Sequence, residues 1–167
     1  METNVGSLTI SQNTDPDVAR ACATMMASTE PWLTLGRTYE QSLAVMNDPT
    51  REVHVGHAGG TLIGFVVLCM VGAFVGYIQS VCVLPDKRGQ GYGTRLLRYA
   101  EARIFRETPN VFMCVSSFNT DAQRLYARQG YAVVGALDDY IVPGHAEILL
   151  RKSVGSLTEW RRPSERS

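Results

Sequence analysis

The feature that most constrains the fold is a long uncharged segment. Leu62 to Leu84, LIGFVVLCMVGAFVGYIQSVCVL, contains no charged residue and is long enough for a helix that crosses a membrane. Gly64, Gly72 and Gly76 interrupt the segment, and β-branched residues are frequent in it, which favours strands over a helix. We therefore predict two buried strands that are joined around Gly72, as at the centre of a sheet.

The segments on either side alternate between strand and helix patterns. Asp15 and Pro16 have the residue types of a helix N-cap and a first helical position. Asn119 is a plausible N-cap for a later helix, NTDAQRLYARQG, and Gly130 is its predicted C-terminal stop. The predicted order of elements is β-α-α-β-β-β-α-β-α-β-β.

Length and composition favour one compact domain. The chain has 167 residues, and its 16 basic and 16 acidic side chains cancel, so no excess charge indicates a nucleic acid or an anionic membrane as partner. We predict a domain over residues 1–155 and a loose polar tail over residues 156–167. A homodimer would be consistent with the apolar strands.

The cysteine pattern predicts a reduced, cytoplasmic protein. No CxxC pair and no cluster of His and Cys at zinc-ligand spacing is present, so no metal site is expected. No basic start with an apolar run indicates a secretory signal at the N-terminus. Four cysteines are predicted to be buried thiols: Cys22, Cys69, Cys82 and Cys114.

A glycine-rich loop, RGQGYG, follows the second of the two predicted buried strands and precedes a predicted helix. Bare backbone N–H groups before a helix N-terminus are typical of a phosphate site. The P-loop pattern fails because Lys87 precedes the glycines, and the dinucleotide fingerprint fits Gly89 and Gly91 but has Thr94 at its third glycine. The loop alone leaves a phosphate site and an ordinary flexible loop both open.

Two motifs together carry a family resemblance. The spacing Arg-x-x-Gly-x-Gly, at Arg88, Gly91 and Gly93, resembles the acyl-CoA-binding motif of the GNAT superfamily of N-acyltransferases. The later VSSFNTDAQRLYARQGY resembles that family's strand, Asn and Leu-Tyr-x-x-x-Gly-Tyr helix ending. The resemblance covers roughly residues 7–152, and implies an α+β fold with a mostly antiparallel, twisted sheet of about seven strands and helices on both faces.

The resemblance also implies acetyl-CoA as the co-substrate. In this family the fourth and fifth strands separate, and the pantetheine arm enters the gap. The strand backbone would then hold the acyl carbonyl and the pantetheine amides, and the loop amides would hold the pyrophosphate. The residues implied to contact acetyl-CoA are Val81, Cys82, Val83, Arg88, Gly89, Gln90, Gly91, Tyr92, Gly93, Thr94, Asn119 and Tyr126.

The implied reaction transfers the acetyl group to a primary amine by direct attack in a ternary complex. The N–H of Val81 would stabilise the oxyanion, and Tyr126 would donate to the departing thiolate as a general acid or a positioning donor. Tyr126 also has the helical spacing of a core aromatic residue. Many family members have a glutamate on the fourth strand, but Gln79 and Ser80 stand there, so the general base stays unassigned.

The acceptor site is predicted from two connecting segments. Trp32 and Tyr140 would line the pocket and Glu30 would attract a cation, although Trp32 is equally suited to anchoring the core. Glu30, His145, Glu147 and the Asp138-Asp139 pair are base candidates that would act through ordered water, and we expect them mainly on the surface. Two alternatives stay open: a catalytically silent acyl-CoA-binding sensor or interaction module, and a nucleotide-dependent enzyme.

Overall fold

Residues 7–165, which the computed structural model describes, contain one sheet of seven strands and four α-helices. The strands are β1 (Thr9–Gln12), β2 (Arg51–Ala58), β3 (Thr61–Cys69), β4 (Tyr77–Val83), β5 (Asn110–Ser116), β6 (Ala132–Leu137) and β7 (Glu147–Ser153). The helices are α1 (Pro16–Ala27), α2 (Tyr39–Met46), α3 (Tyr92–Ile104) and α4 (Thr120–Arg128).

The sheet has the order β1-β2-β3-β4-β5-β7-β6. Every neighbouring pair is antiparallel except β4 and β5, which are parallel. The predicted α+β fold and the predicted order of elements are both confirmed. Asp15 caps α1 through a 2.8 Å bond from the N–H of Asp17, as its position before Pro16 indicated.

The uncharged segment forms β3, a turn and β4. Gly72 and Gly76 lie in this turn with φ of 94° and 88°, a left-handed region that favours glycine. Within residues 7–165, no helix is long and apolar enough to cross a membrane. The absence of charge in this segment therefore reflects its place at the centre of the sheet.

Both faces of β3 are buried, each under a different pair of helices. Phe65 and Val67 pack in one apolar cluster with residues of α1 and α2, such as Met26. Val66 and Leu68 point the opposite way and pack in a second cluster with α3 and α4. This arrangement explains why β3 lacks the polar alternation of a half-exposed strand.

The parallel strands β4 and β5 are paired at one end only. Their register contains two pairs, Tyr77 with Phe112 and Ile78 with Met113. The register between β3 and β4 shifts at this point, from Leu68–Ile78 to Val67–Ser80, which leaves Gln79 as an extra residue. Such a bulge bends a strand and ends its pairing, so β4 moves away from β5 beyond Gln79. The gap implied by the family resemblance is therefore present.

The segment after β7 packs against the domain. Arg162 forms a 3.3 Å ion pair with Glu107 beyond α3, and the N–H of Trp160 donates to Ser156 at 3.0 Å. The side chain of Trp160 is half-buried. The segment up to Glu165 thus makes contacts within itself and an ion pair to Glu107.

Close packing of β3 on β4 yields a stability prediction. A methyl group at Gly64 would overlap the Cys82 carbonyl oxygen and lie 3.2 Å from Val83 Cα, both backbone atoms. We expect Gly64→Ala to lower the free energy of unfolding by about 1–3 kcal/mol in urea denaturation. The control is Gly135→Ala in β6, where a methyl group would meet nothing within 4 Å. Equal losses in the two variants would contradict this account of the β3–β4 contact.

Candidate active site

The gap between β4 and β5 opens into a cleft of about 670 Å³. Its walls come from both strands, from α4, from the turn between α1 and α2, and from the loop between β6 and β7. Polar and aromatic side chains line it: Trp32, Arg37, Arg51, Tyr77, Gln79, Ser80, Ser116, Asn119, Tyr126, Tyr140 and Glu147.

The glycine loop presents a run of free backbone N–H groups. From Gly89 to Thr94, these groups donate to no residue that the structure describes. Gly91 is the N-cap of α3, with a left-handed φ of 81° and no side-chain cap. The N–H of Arg88 is already bonded to Pro85 O at 3.3 Å, so the available run begins one residue later than predicted. An anion is the natural ligand for such a run.

The N-terminus of α3 lies at the mouth of the gap. A methyl group built on Gly93 would be 3.8 Å from both Val83 at the end of β4 and Leu125 of α4. The Arg88 guanidinium donates to Val83 O at 3.2 Å and to Glu30 O at 3.5 Å, which fixes the loop to β4. The free N–H groups therefore lie beside the end of β4, two residues beyond Val81, which lines the cleft.

The backbone of β4 contributes further donors. The N–H of Leu84 donates to Ile63 O, so Leu84 faces β3, and alternation turns the N–H groups of Val83 and Val81 toward the gap. Cys82 is different, because its N–H faces β3 and its side chain is buried near Thr29, with Sγ 3.9 Å from Oγ1. The structure brings Val81 and Val83 to the site and leaves Cys82 out.

Tyr126 is half-buried on α4 and lines the cleft. Its hydroxyl has no hydrogen-bond partner among residues 7–165, and its ring packs edge-on against Tyr131 with centroids 6.0 Å apart. Burial raises the pKa of Tyr126 to about 12. The hydroxyl therefore keeps its proton at neutral pH and can donate to a group in the cleft.

Asn119 is both a helix cap and a cleft-lining residue. Its Oδ1 accepts the N–H of Ala122 at 3.3 Å and so caps α4. Its side chain also lines the cleft, and its Nδ2 donates to no described residue. Capping fixes the side chain in place, which leaves the amide donor available to a ligand.

Glu147 is the one carboxylate among the described residues that line the cleft. It is 5% exposed and accepts a 2.6 Å bond from Ser116 Oγ, its partner in the β5–β7 register. Burial raises the pKa of Glu147, and the Ser116 hydrogen bond partly opposes this. The expectation that Glu147 lies on the surface was wrong, because strand pairing brings it inward.

The three predicted acceptor residues separate in the structure. Trp32 lines the cleft and is 8% exposed, so it also belongs to the core, while Tyr140 lines the cleft at 65% exposure. Glu30 is exposed and does not line the cleft. Its carboxylate accepts from the N–H of Thr34 at 3.2 Å and from Thr34 Oγ1 at 3.0 Å, which stabilises the turn after α1.

Two of the other base candidates make contacts with loop residues. Asp139 accepts the N–H of Gly144 at 2.7 Å, and His145 packs against the Phe118 ring with centroids 4.8 Å apart. Cys114 is only half-buried and lines the cleft, which corrects the expectation of four buried thiols. Residues 7–165 contain no group of three or more His, Cys, Asp or Glu that could hold a metal ion.

Sequence reasoning missed several cleft residues. Arg37, Tyr77 and Ser116 line the cleft, and none of them was predicted as a site residue. Ser116 acquires its place through the strand register with Glu147. For Arg37, the one available signal was a basic residue directly after a turn glycine in LTLGRTYE.

Known proteins resemble this chain in sequence. The model of the acetyltransferase (GNAT) family matches residues 17–131. The aminoalkylphosphonate N-acetyltransferase of Salmonella typhimurium is 30% identical over 90 residues, which are 50% of this chain and 58% of that relative. The chain thus matches less than two thirds of the relative's length.

Solved structures share the fold at low sequence identity. The ribosomal-protein-S18-alanine N-acetyltransferase of Escherichia coli has a TM-score of 0.71 at 17% identity, over 92% of this chain and 97% of that one. An aminoglycoside 6'-N-acetyltransferase complexed with coenzyme A has 0.70 at 17%, over 89% and 98%. The yncA protein of Salmonella typhimurium, solved with its cofactor acetyl-CoA, has 0.71 at 18%, over 90% and 96%.

Fold and family match together define the class of protein. The fold is shared with these solved structures, and it has an open sheet with a gap between two central strands. The chain belongs to the acetyltransferase (GNAT) family, and acetyl transfer is the general reaction that this membership supports.

The raised pKa of Glu147 predicts a pH-dependent stability difference. Between its unfolded pKa of about 4.3 and its higher folded pKa, the folded state binds more protons, so rising pH destabilises the native protein. Glu147→Gln removes this effect and keeps an acceptor for Ser116. We expect the unfolding free energy of the variant minus that of the native protein to increase from pH 4 to pH 7 in urea denaturation.

Glu40→Gln, at an exposed position of α2, controls for the loss of one negative charge. A difference for Glu147→Gln that stays constant or decreases as pH rises, after this control is subtracted, would contradict the assignment of Glu147 as a buried, destabilised carboxylate.

Proposed function

We propose that this chain is an N-acetyltransferase that transfers the acetyl group of acetyl-CoA to a primary amine by direct attack in a ternary complex. One observation carries the proposal: the free N–H groups from Gly89 to Thr94 lie beside the end of β4, and Val81 of the same strand lines the cleft with Tyr126 and Glu147. An anion-binding loop and a pair of proton-handling side chains thus share one site. The name of the Salmonella relative, an N-acetyltransferase of aminoalkylphosphonates, supports an amine acceptor.

The donor would occupy the gap between β4 and β5. Its pyrophosphate would accept hydrogen bonds from the N–H groups of residues 89–94, at the positive end of the α3 dipole. Its pantetheine amides would pair with the unused backbone edge of β4 at Val81 and Val83, and Asn119 Nδ2 would donate from the opposite wall. Structures of the fold with coenzyme A or acetyl-CoA bound support this choice of cofactor.

The reaction requires a neutral amine, a stabilised oxyanion and a stabilised leaving thiolate. The N–H of Val81 would donate to the oxyanion as the amine nitrogen bonds to the acetyl carbon. Tyr126 would donate to the sulfur as the carbon–sulfur bond breaks. Glu147 would supply the carboxylate that is missing from β4, and its raised pKa makes it a stronger base than an exposed carboxylate.

A catalytically silent acyl-CoA-binding module is the second candidate. Gln79 on β4 favours this candidate, because its side-chain amide cannot act as a general base. Its Oε1 already accepts a hydrogen bond from Arg51 Nε at 2.8 Å. A thiol-release assay with acetyl-CoA and a broad amine panel separates the two functions. Release of CoA with any amine supports the enzyme, whereas acetyl-CoA binding without release supports the module.

The phosphate loop can be tested by placing a negative charge in it. Gly91→Asp puts a carboxylate where the pyrophosphate would bind. We expect at least about a 100-fold loss of CoA affinity by calorimetry, because the carboxylate would repel the negative charges of the pyrophosphate at close range. The control is Gly72→Asp, which has a φ of 94° and open space like Gly91 but lies in the turn before β4. Equal CoA affinity for the two variants would contradict the loop assignment.

Tyr126→Phe tests the donor to sulfur. The change removes one hydroxyl that has no partner among residues 7–165, so we expect the melting temperature and the affinity for acetyl-CoA to be nearly unchanged. The value of kcat should fall by about 10²–10⁴, the range for a general acid. A kcat equal to that of the native enzyme would reduce Tyr126 to a packing residue.

A further inference from the structure

We propose that the acceptor is an amine that also carries an oxyanion, either a carboxylate or a phosphonate, and that Arg37 binds this oxyanion. The inference rests on the proposed acetyltransferase function and specifies the acceptor class. It comes from a charged side chain in the cleft that nothing in the described chain neutralises.

Arg37 lines the cleft without a partner. Its guanidinium makes no hydrogen bond, ion pair or ring contact with any residue of 7–165. The residue is half-buried, and burial alone lowers the pKa of Arg37, with no nearby carboxylate to oppose it. A partly desolvated charge without a counter-ion is unfavourable in the free protein. An anionic ligand would remove that cost.

The second cleft arginine provides the contrast. Arg51 donates to Gln79 Oε1 at 2.8 Å and to Thr50 Oγ1 at 3.0 Å, and its Nε lies 3.9 Å from Asp48 Oδ2. The structure therefore satisfies one arginine of the cleft and leaves the other free. Arg37 is the side chain with donors available to a ligand.

The backbone holds Arg37 in a defined place. Its N–H donates to Trp32 O at 3.0 Å, and Gly36, with a φ of 67°, donates to Leu33 O at 3.1 Å. Directly after Arg37, Thr38 and Gln41 form a capping box at the start of α2. The guanidinium thus projects from a fixed turn, so binding requires little ordering of the backbone.

The charge pattern of the cleft fits a zwitterion. The charged side chains that line it are Arg37, Arg51 and Glu147. A guanidinium binds a carboxylate or phosphonate through paired N–H donors, while Glu147 receives the amine end. A purely cationic acceptor, such as a polyamine, would meet two arginines and one carboxylate. The same groups therefore favour an anionic amine and disfavour a polycation.

The test compares acceptors of similar length in the thiol-release assay. We would use 2-aminoethylphosphonate, β-alanine, neutral propylamine and cationic putrescine. We expect kcat/KM for one or both anionic amines to exceed that for propylamine by about 10-fold or more, as for a charge-assisted hydrogen bond. Which anion is preferred identifies the source of the oxyanion.

Arg37→Leu should raise KM for the preferred anionic amine by about 10- to 100-fold and leave KM for propylamine within about 3-fold. Arg37→Lys should restore part of the loss because it keeps the charge without the planar pair of donors. Arg98→Leu, at an exposed position of α3 outside the cleft, is the control for charge loss.

Three results would overturn the inference. Propylamine or putrescine could be preferred over both anionic amines. Arg37→Leu could reduce activity equally with every acceptor. Arg37→Leu could raise KM for acetyl-CoA, which would assign Arg37 to the donor. Each of these requires CoA release and so leaves the acetyltransferase function intact. Acetyl-CoA binding without release for any amine would overturn that function, and this inference with it.

Discussion

The loss of pairing between β4 and β5 is the constraint on which the rest of the site depends. After two residue pairs, the bulge at Gln79 keeps β4 bonded to β3 while it moves away from β5. The N–H groups of Val81 and Val83 are left facing a gap, and the start of α3 lies at the mouth of that gap. A fully paired sheet would close the cleft and occupy the same backbone donors.

The cleft gathers complementary groups from distant parts of the chain. In the proposed function, free amides at the start of α3 would bind an anionic donor, and Arg37 would bind an anion on the acceptor. Glu147 is the buried carboxylate among these positive groups, held by Ser116. Because the amides and Arg37 come from separate segments, donor and acceptor recognition can be altered independently by substitution.

Local sequence patterns predicted the fold and the glycine loop before α3, and two predicted acceptor residues, Trp32 and Tyr140, line the cleft, but the patterns missed Arg37 and the burial of Glu147. The glycines of RGQGYG and the Asn119 cap act within a few residues of their own positions. Glu147 enters the cleft only because β7 pairs with β5, and that register is not written in either strand alone. Arg37 is significant because it lacks partners, which no sequence pattern records. Glu30 was predicted to attract the acceptor, but its carboxylate accepts hydrogen bonds from Thr34 in the same turn.

The proposed function requires that the gap and the loop bind the acetyl-CoA donor through backbone N–H groups. The most direct measurement is an amide NMR titration of the full chain with CoA. We predict that the amide signals of Val81, Val83 and residues 89–94 shift and exchange more slowly, while Gly59 and Gly60 in the β2–β3 turn are unaffected. Shifts confined to other segments, or no shifts at saturating CoA, would contradict the account.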